Sequence, residues 1–145
     1  MKKYKYILIV LIILFIPLYA YAMDWSKVNQ ITVAWDPVTG IEGGSLIPET
    51  DVIKYNVYSM NSKKLPEEII LLTPVPILET QFTATFVEEG FFYLGAQTVR
   101  LNDAGEELAT SVIVWSNDPL AVQDGKVFGV KFFNHPSPPS KLRLN

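Results

Sequence analysis

The sequence predicts an all-β protein that folds as a β-sandwich of about seven short antiparallel strands. β-Branched and aromatic residues alternate with polar residues in short runs, which is typical of strands with one buried face. Clusters of Gly, Pro, Asn and Asp separate these runs at the spacing expected of a sandwich. Residues 82–115 show both features, since strand, tight turn, strand, polar loop and strand follow one another there. No segment after the N-terminal leader favours a helix over a strand or a loop.

Residues 1–22 predict a helical signal peptide that is removed on export. Basic residues precede the apolar run 7–16, and Ala20-Tyr21-Ala22 matches a processing site, so cleavage is expected before Met23. The predicted location is therefore extracytoplasmic, either periplasmic or secreted. An uncleaved leader would instead anchor the protein in the membrane, although the stretch 6–22 is at the short limit for a spanning helix.

The remaining chain divides into a sandwich domain at 23–133 and a Pro-rich tail at 134–145. The first expected strand lies within residues 30–37, where apolar residues alternate up to Trp35 and Pro37 ends the ladder. A Gly-rich loop follows, and then a second alternating strand at 52–60.

Residues 67–77 can be interpreted as the start of a helix or as a short edge strand. Pro74 and Pro76 would stop a helix early, so the edge strand is favoured. Further strands are expected at 81–86, 90–99, 108–115 and 127–133, the last being either a separate strand or the resumed half of the strand before it. Seven large side chains are predicted to fill the interior: Trp35, Tyr55, Val57, Phe82, Phe86, Phe92 and Leu94.

Four segments, in order, resemble parts of fibronectin type III domains. Residues 33–37 (Val-Ala-Trp-Asp-Pro) resemble the B strand, and 53–58 resemble the C strand. Residues 90–99 with 102–105 are similar to the F strand and F–G loop, and 114–117 (Val-Trp-Ser-Asn) resemble the G strand of bacterial members. The resemblance implies an immunoglobulin-like sandwich of the small exported bacterial or phage-encoded type, with a binding or spacer role and no catalysis.

The sequence also departs from that family. The aromatic residue of the tyrosine corner is split between Phe92 and Tyr93, so the corner hydroxyl is missing or displaced if Phe92 points inward. An insertion follows Asn117, and residues 136–143 resemble the linker and opening strand of a further domain.

Composition excludes several classes of function. The chain has no cysteine, which excludes thiol nucleophiles, thiolate metal sites and lipid attachment at a cysteine. Without the three lysines of the leader, nine basic and fifteen acidic residues give a net charge of −6. This balance disfavours nucleic acid and anionic membrane surfaces as partners.

No catalytic, metal or cofactor site is predicted, so the protein is not expected to be an enzyme. His135, the only histidine, lies beside Pro136 in the tail without a partner that would orient it as a base. Glu42, Glu49 and Asp51 share one loop with Asp36 at its base, but their spacing matches no calcium motif.

The predicted function is a non-enzymatic module for protein–protein interaction or surface attachment, with another protein or a cell-surface component as partner. Polysaccharide recognition, as an accessory module of an extracellular or phage assembly, is the alternative. No binding residue is assigned, but five aromatic residues are expected at the outer faces or the rim: Trp25, Tyr58, Phe91, Tyr93 and Trp115. A further hypothesis is assembly through an edge strand, in which the lead-in 24–29 or the segment 127–133 extends a neighbour's sheet.

Overall fold

The computed structural model describes residues 22–62 and 68–137. The predicted signal peptide, except for Ala22, lies outside these residues, as do part of the turn at 61–66 and the end of the tail. Within the described ranges the chain forms nine strands and a 3₁₀ turn at Gln123–Gly125. The strands are β1 (Asp24–Ser26), β2 (Gln30–Ala34), β3 (Val52–Asn61), β4 (Glu68–Leu71), β5 (Gln81–Thr85), β6 (Gly90–Leu101), β7 (Glu107–Thr110), β8 (Val114–Trp115) and β9 (Phe128–Phe132).

The fold is all-β and sandwich-like, with two sheets of very different size. The larger sheet has seven strands, of which five follow the order β1-β9-β6-β3-β4, and β7 and β8 also pair with β6. The smaller sheet contains only β2 and β5, paired antiparallel. β4 pairs with β3 at one edge of the larger sheet, which confirms the edge strand expected within residues 67–77.

β3 pairs with one edge of β6, and the strand that pairs with the other edge of β6 is interrupted. β7, β8 and β9 pair with successive parts of the same edge of β6, from its C-terminal to its N-terminal end. Ser116 joins the last two pieces, because its carbonyl accepts a 3.0 Å hydrogen bond from the Phe128 N–H. Residues 117–127 are therefore an insertion, and β9 is the resumed half of the strand that the sequence predicted at 108–115.

The interior lies between the smaller sheet and the inner face of the larger sheet. Val33 and Ala84, from β2 and β5, pack against Phe92 and Leu94 of β6. Phe86 stacks on Phe92 with 4.4 Å between the ring centroids. All seven side chains predicted for the interior are buried or half-buried, which confirms that expectation.

β1 is the main difference from the predicted set of strands. The sequence suggested only a lead-in there, and all strands were expected to be antiparallel, but Asp24–Ser26 pairs in parallel with Phe128–Val130. Three residues are too few to show an alternating pattern, and the pairing depends on packing between distant segments. β9 consequently has β1 on one side and β6 on the other, so it offers no open edge for a neighbour's sheet.

Candidate functional site: an aromatic outer face

The outer face of the seven-stranded sheet collects the aromatic residues that the sequence singled out. Successive residues of a strand point to opposite faces, so Phe91, Tyr93 and Gly95 lie outside when Phe92 and Leu94 are buried inside. Directly paired residues share a face, and the registers therefore bring residues of neighbouring strands to this side. All five aromatic residues are half-buried here: Trp25, Tyr58, Phe91, Tyr93 and Trp115.

Trp25 lies across β9 and contacts β6. It is paired with Gly129, and a Cβ atom added to that glycine would lie 2.8 Å from Cζ3 of the indole. The indole packs edge-on against Phe91, with 5.2 Å between ring centroids, and lies 5.7 Å from Tyr93. The absent side chain at Gly129 therefore makes room for an aromatic ring from the neighbouring strand.

Trp115 repeats this arrangement on the next part of β6. It is paired with Gly95, where an added Cβ would lie 2.7 Å from Cε3 of Trp115 and 2.6 Å from Cγ2 of Ile113. Tyr58 is paired with the same glycine from the β3 side. Two tryptophans thus cover two glycines on a face that, within residues 22–62 and 68–137, has no second sheet packed on it.

Phe133 and Lys131 complete the group at the end of β9. Phe133 is 46% exposed, and its ring lies 5.5 Å from that of Phe91. The Nζ atom of Lys131 lies 5.3 Å from the centroid of the Phe91 ring, at cation–π distance. Five residues form what we call the outer aromatic cluster: Trp25, Phe91, Tyr93, Phe133 and Lys131.

The apolar surface continues across the sheet to β4. Ile69 and Leu71 are paired with Met60 and Tyr58 respectively, so they share the outer face. They are 51% and 45% exposed. Large exposed apolar patches often mark interaction sites on soluble proteins, and Ile69 and Leu71 add exposed apolar side chains to this face.

Near Gln97 and Ser111, the outer face of the larger sheet carries polar side chains. The Tyr58 hydroxyl donates to Oε1 of Gln97 at 2.8 Å, and Nε2 of Gln97 donates to the Ser111 carbonyl at 2.8 Å. These bonds fix the orientation of the Gln97 amide, which lies on the same face of β6 as Gly95, the residue paired with Trp115.

The acidic residues of the 36–51 segment do not converge on a cation site. The Asp51 carboxylate pairs with Nε of Arg100 at 2.5 Å, and its side chain is only 7% exposed. Asp36, Glu42 and Glu49 are exposed. No group of three or more potential metal ligands exists within residues 22–62 and 68–137.

Two further residues resolve points that the sequence left open. His135 is exposed in the tail. Phe92 takes the inward position at 6% exposure, and Tyr93 lies on the outer face opposite Met60. The hydroxyl expected of a tyrosine corner is therefore displaced to the outside.

Sequence reasoning missed four residues that shape this face: Gly95, Gly129, Lys131 and Phe133. The alternation in β9 could have assigned Lys131 and Phe133 to one face. The two glycines could not be matched to their tryptophans, because each match depends on a register between segments distant in sequence.

In the part of the chain that the structure describes, no helix is long and apolar enough to cross a bilayer. No protein-family model matches the chain, and no curated protein sequence matches it.

Proposed function

We propose that this protein is a non-enzymatic, exported module that binds another protein or a cell-surface component through the outer aromatic cluster. The observation that carries the proposal is a cluster of four aromatic rings and a lysine on the outer face of the larger sheet, opposite the face that packs on the smaller sheet. Aromatic residues dominate the centres of protein interfaces, because they bury much apolar area at a small cost in side-chain entropy.

The rings are held in place before any partner arrives. Trp25 packs on Gly129 and touches two rings, and Phe91 contacts Trp25 and Phe133. Side chains already restricted by packing lose less freedom on binding, which favours affinity. The exposed Ile69 and Leu71 extend the apolar area toward the opposite edge.

We also propose that the domain at 23–133 is fibronectin type III-like. The order of the alternating strands supports it, as does the edge-to-face packing of Trp35 on Tyr55 at 5.3 Å between the two strands that carry the resemblance. The parallel β1–β9 pair and the interrupted strand β7–β9 are departures that make this chain an unusual member of that type.

The test is capture of envelope or surface proteins on the immobilised, exported form of the chain. We expect Phe133→Ala and Tyr93→Ala to abolish capture of a partner that the wild type retains, because both remove rings from the cluster. Leu78→Ala and Val87→Ala are matched controls, since these side chains are 63% and 86% exposed outside the cluster. Equal capture by all four variants would contradict the proposal.

Carbohydrate recognition is the second candidate, favoured by one observation. The half-buried Trp115 and the fixed amide of Gln97 lie on the same face of the larger sheet, and a flat ring together with hydrogen-bonding groups suits a sugar. A glycan array would then give a signal that Trp115→Ala removes and Phe133→Ala leaves intact. An array without signal would exclude this candidate and leave the protein partner.

A further inference from the structure

The smaller sheet has an unoccupied edge. β2 pairs with β5 on one side and has no strand on the other side among the described residues. The Phe86 N–H donates to the Asn29 carbonyl, and the Trp35 N–H donates to the Thr80 carbonyl. Antiparallel ladders alternate in direction, so the backbone groups of Thr32 and Ala34 point away from β5, toward the unoccupied side.

A groove of about 930 Å³ follows this edge. Six consecutive residues, 31–36, form one wall, so the groove runs along the length of β2. The opposite wall includes Leu94, Val114 and Ser116 of the larger sheet. The groove therefore lies between the two sheets, where a third strand of the smaller sheet would fit.

One side chain in the groove is more exposed than its position in the sheet predicts. Val114 is paired with Ala96 on the inner face, yet it is 47% exposed. A strand laid beside β2 supplies apolar side chains that cover Val114.

The chain contains a segment whose pattern fits this groove. Residues 141–145 read Lys-Leu-Arg-Leu-Asn, with two leucines on one side of an extended strand and two cations on the other. The groove is lined by three acidic side chains, Asp24, Asp36 and Asp124, against one basic side chain, Lys126. Asp36 follows β2 on the same outward side as the exposed Thr32 and Ala34, so the cations on the outward side of an added strand would lie on the side of this carboxylate.

We propose that residues 141–145 of one chain add as a strand to the free edge of β2 in a second copy, with Leu142 and Leu144 pointing into the groove. Strand addition supplies main-chain hydrogen bonds to Thr32 and Ala34, and the alternating leucines supply specificity. This assembly does not depend on the outer aromatic cluster, which lies on the opposite face of the larger sheet.

The position where β9 ends favours a second copy over the chain's own groove. Phe132 is paired with Gly90, at the end of β6 remote from Val114, and the Asn134 N–H donates to the Glu89 carboxylate there. The chain would have to reverse direction within residues 133–140 to reach its own β2. Pro136, Pro138 and Pro139 oppose such a reversal, because Pro-rich sequences favour extended, semi-rigid conformations.

Because the donated strand and the accepting edge are different surfaces, the contact is heterologous. It closes as a dimer when two copies exchange their segments reciprocally, and otherwise generates a ring or an open chain of molecules. The mass of the exported full chain, measured by light scattering after gel filtration, should therefore rise with protein concentration above that of the monomer.

The first test changes only the donated segment. Leu142→Asp with Leu144→Asp should reduce association at least about tenfold, as expected when apolar anchors of an interface are replaced by charges. Leu78→Asp is the matched control, since Leu78 is exposed and does not line the groove. A monomer at every concentration, or equal association of both variants, overturns the proposal.

The second test identifies which β2 is used. The chain has no cysteine, so single Thr32→Cys and Arg143→Cys chains can be mixed and oxidised without competing thiols. A mixed disulfide dimer is expected, whereas Thr85→Cys, on the neighbouring strand β5, should not form one with Arg143→Cys. A disulfide within a chain carrying both Thr32→Cys and Arg143→Cys, with no mixed dimer, overturns the assignment to a second copy.

Discussion

The two faces of β6 are filled by different means. Its inner face carries Phe92 and Leu94, which are 6% and 3% exposed because the smaller sheet covers them. Its outer face carries Phe91 and Tyr93, which are only half-buried and are covered by side chains of the same sheet, chiefly Trp25. Neighbouring residues of one strand thus belong to a closed interior and to an open aromatic surface. The difference predicts that loss of an inner ring costs more stability than loss of an outer ring, and the proposed binding role concerns the outer rings.

The largest expected effect separates two adjacent phenylalanines. Phe92→Ala should lower the free energy of unfolding by about 3–5 kcal/mol, because it removes a ring stacked on Phe86 and leaves a cavity. Phe91→Ala should cost only about 1–2 kcal/mol, since its ring is already partly in water. Urea denaturation of both variants measures the difference. Equal losses would mean that the outer face is as closed as the inner face.

A glycine on the outer face provides the next test. Gly95→Ala should cost about 1–3 kcal/mol through overpacking, because the new Cβ meets Trp115 and Ile113. Combining it with Trp115→Ala should cost less than the sum of the single changes, since the second change removes one of the two obstacles. A strictly additive double-mutant cycle, measured by urea denaturation, would show that the indole does not rest on Gly95.

At the C-terminal end of β6, an ion pair joins the strand to the segment before β3. Asp51→Asn should lower the free energy of unfolding by about 1–2 kcal/mol, because it weakens a charged hydrogen bond and leaves the partly buried Arg100 without its counter-ion. Asp36→Asn is the control, as this carboxylate is exposed. Thermal unfolding of the two variants side by side should show a lower transition for Asp51→Asn alone.

The sequence predicted the inner face better than the outer one. Alternation identifies Tyr55, Val57 and Phe92 as inward residues without any knowledge of their partners, since period two alone assigns a face. β1 and the two Trp–Gly contacts could not be predicted, because each depends on which distant segments become neighbours. The groove beside β2 could not be predicted for the same reason, since its walls come from segments distant in sequence.

Phe133→Ala should have the smallest effect on stability. It is also the clearest test of the difference between the two faces of β6. Its ring is 46% exposed and contacts the rest of the cluster through Phe91, so we expect a loss of about 0.5 kcal/mol in urea denaturation. The same variant should nevertheless abolish partner capture, because Phe133 is the most exposed ring of the cluster and so offers the most apolar area for a partner to bury. If the outer face binds a partner, it should contain residues such as Phe133 whose loss reduces capture but hardly changes the free energy of unfolding. A large loss of stability with unchanged capture would instead assign Phe133 to the core and leave the outer face without a binding role.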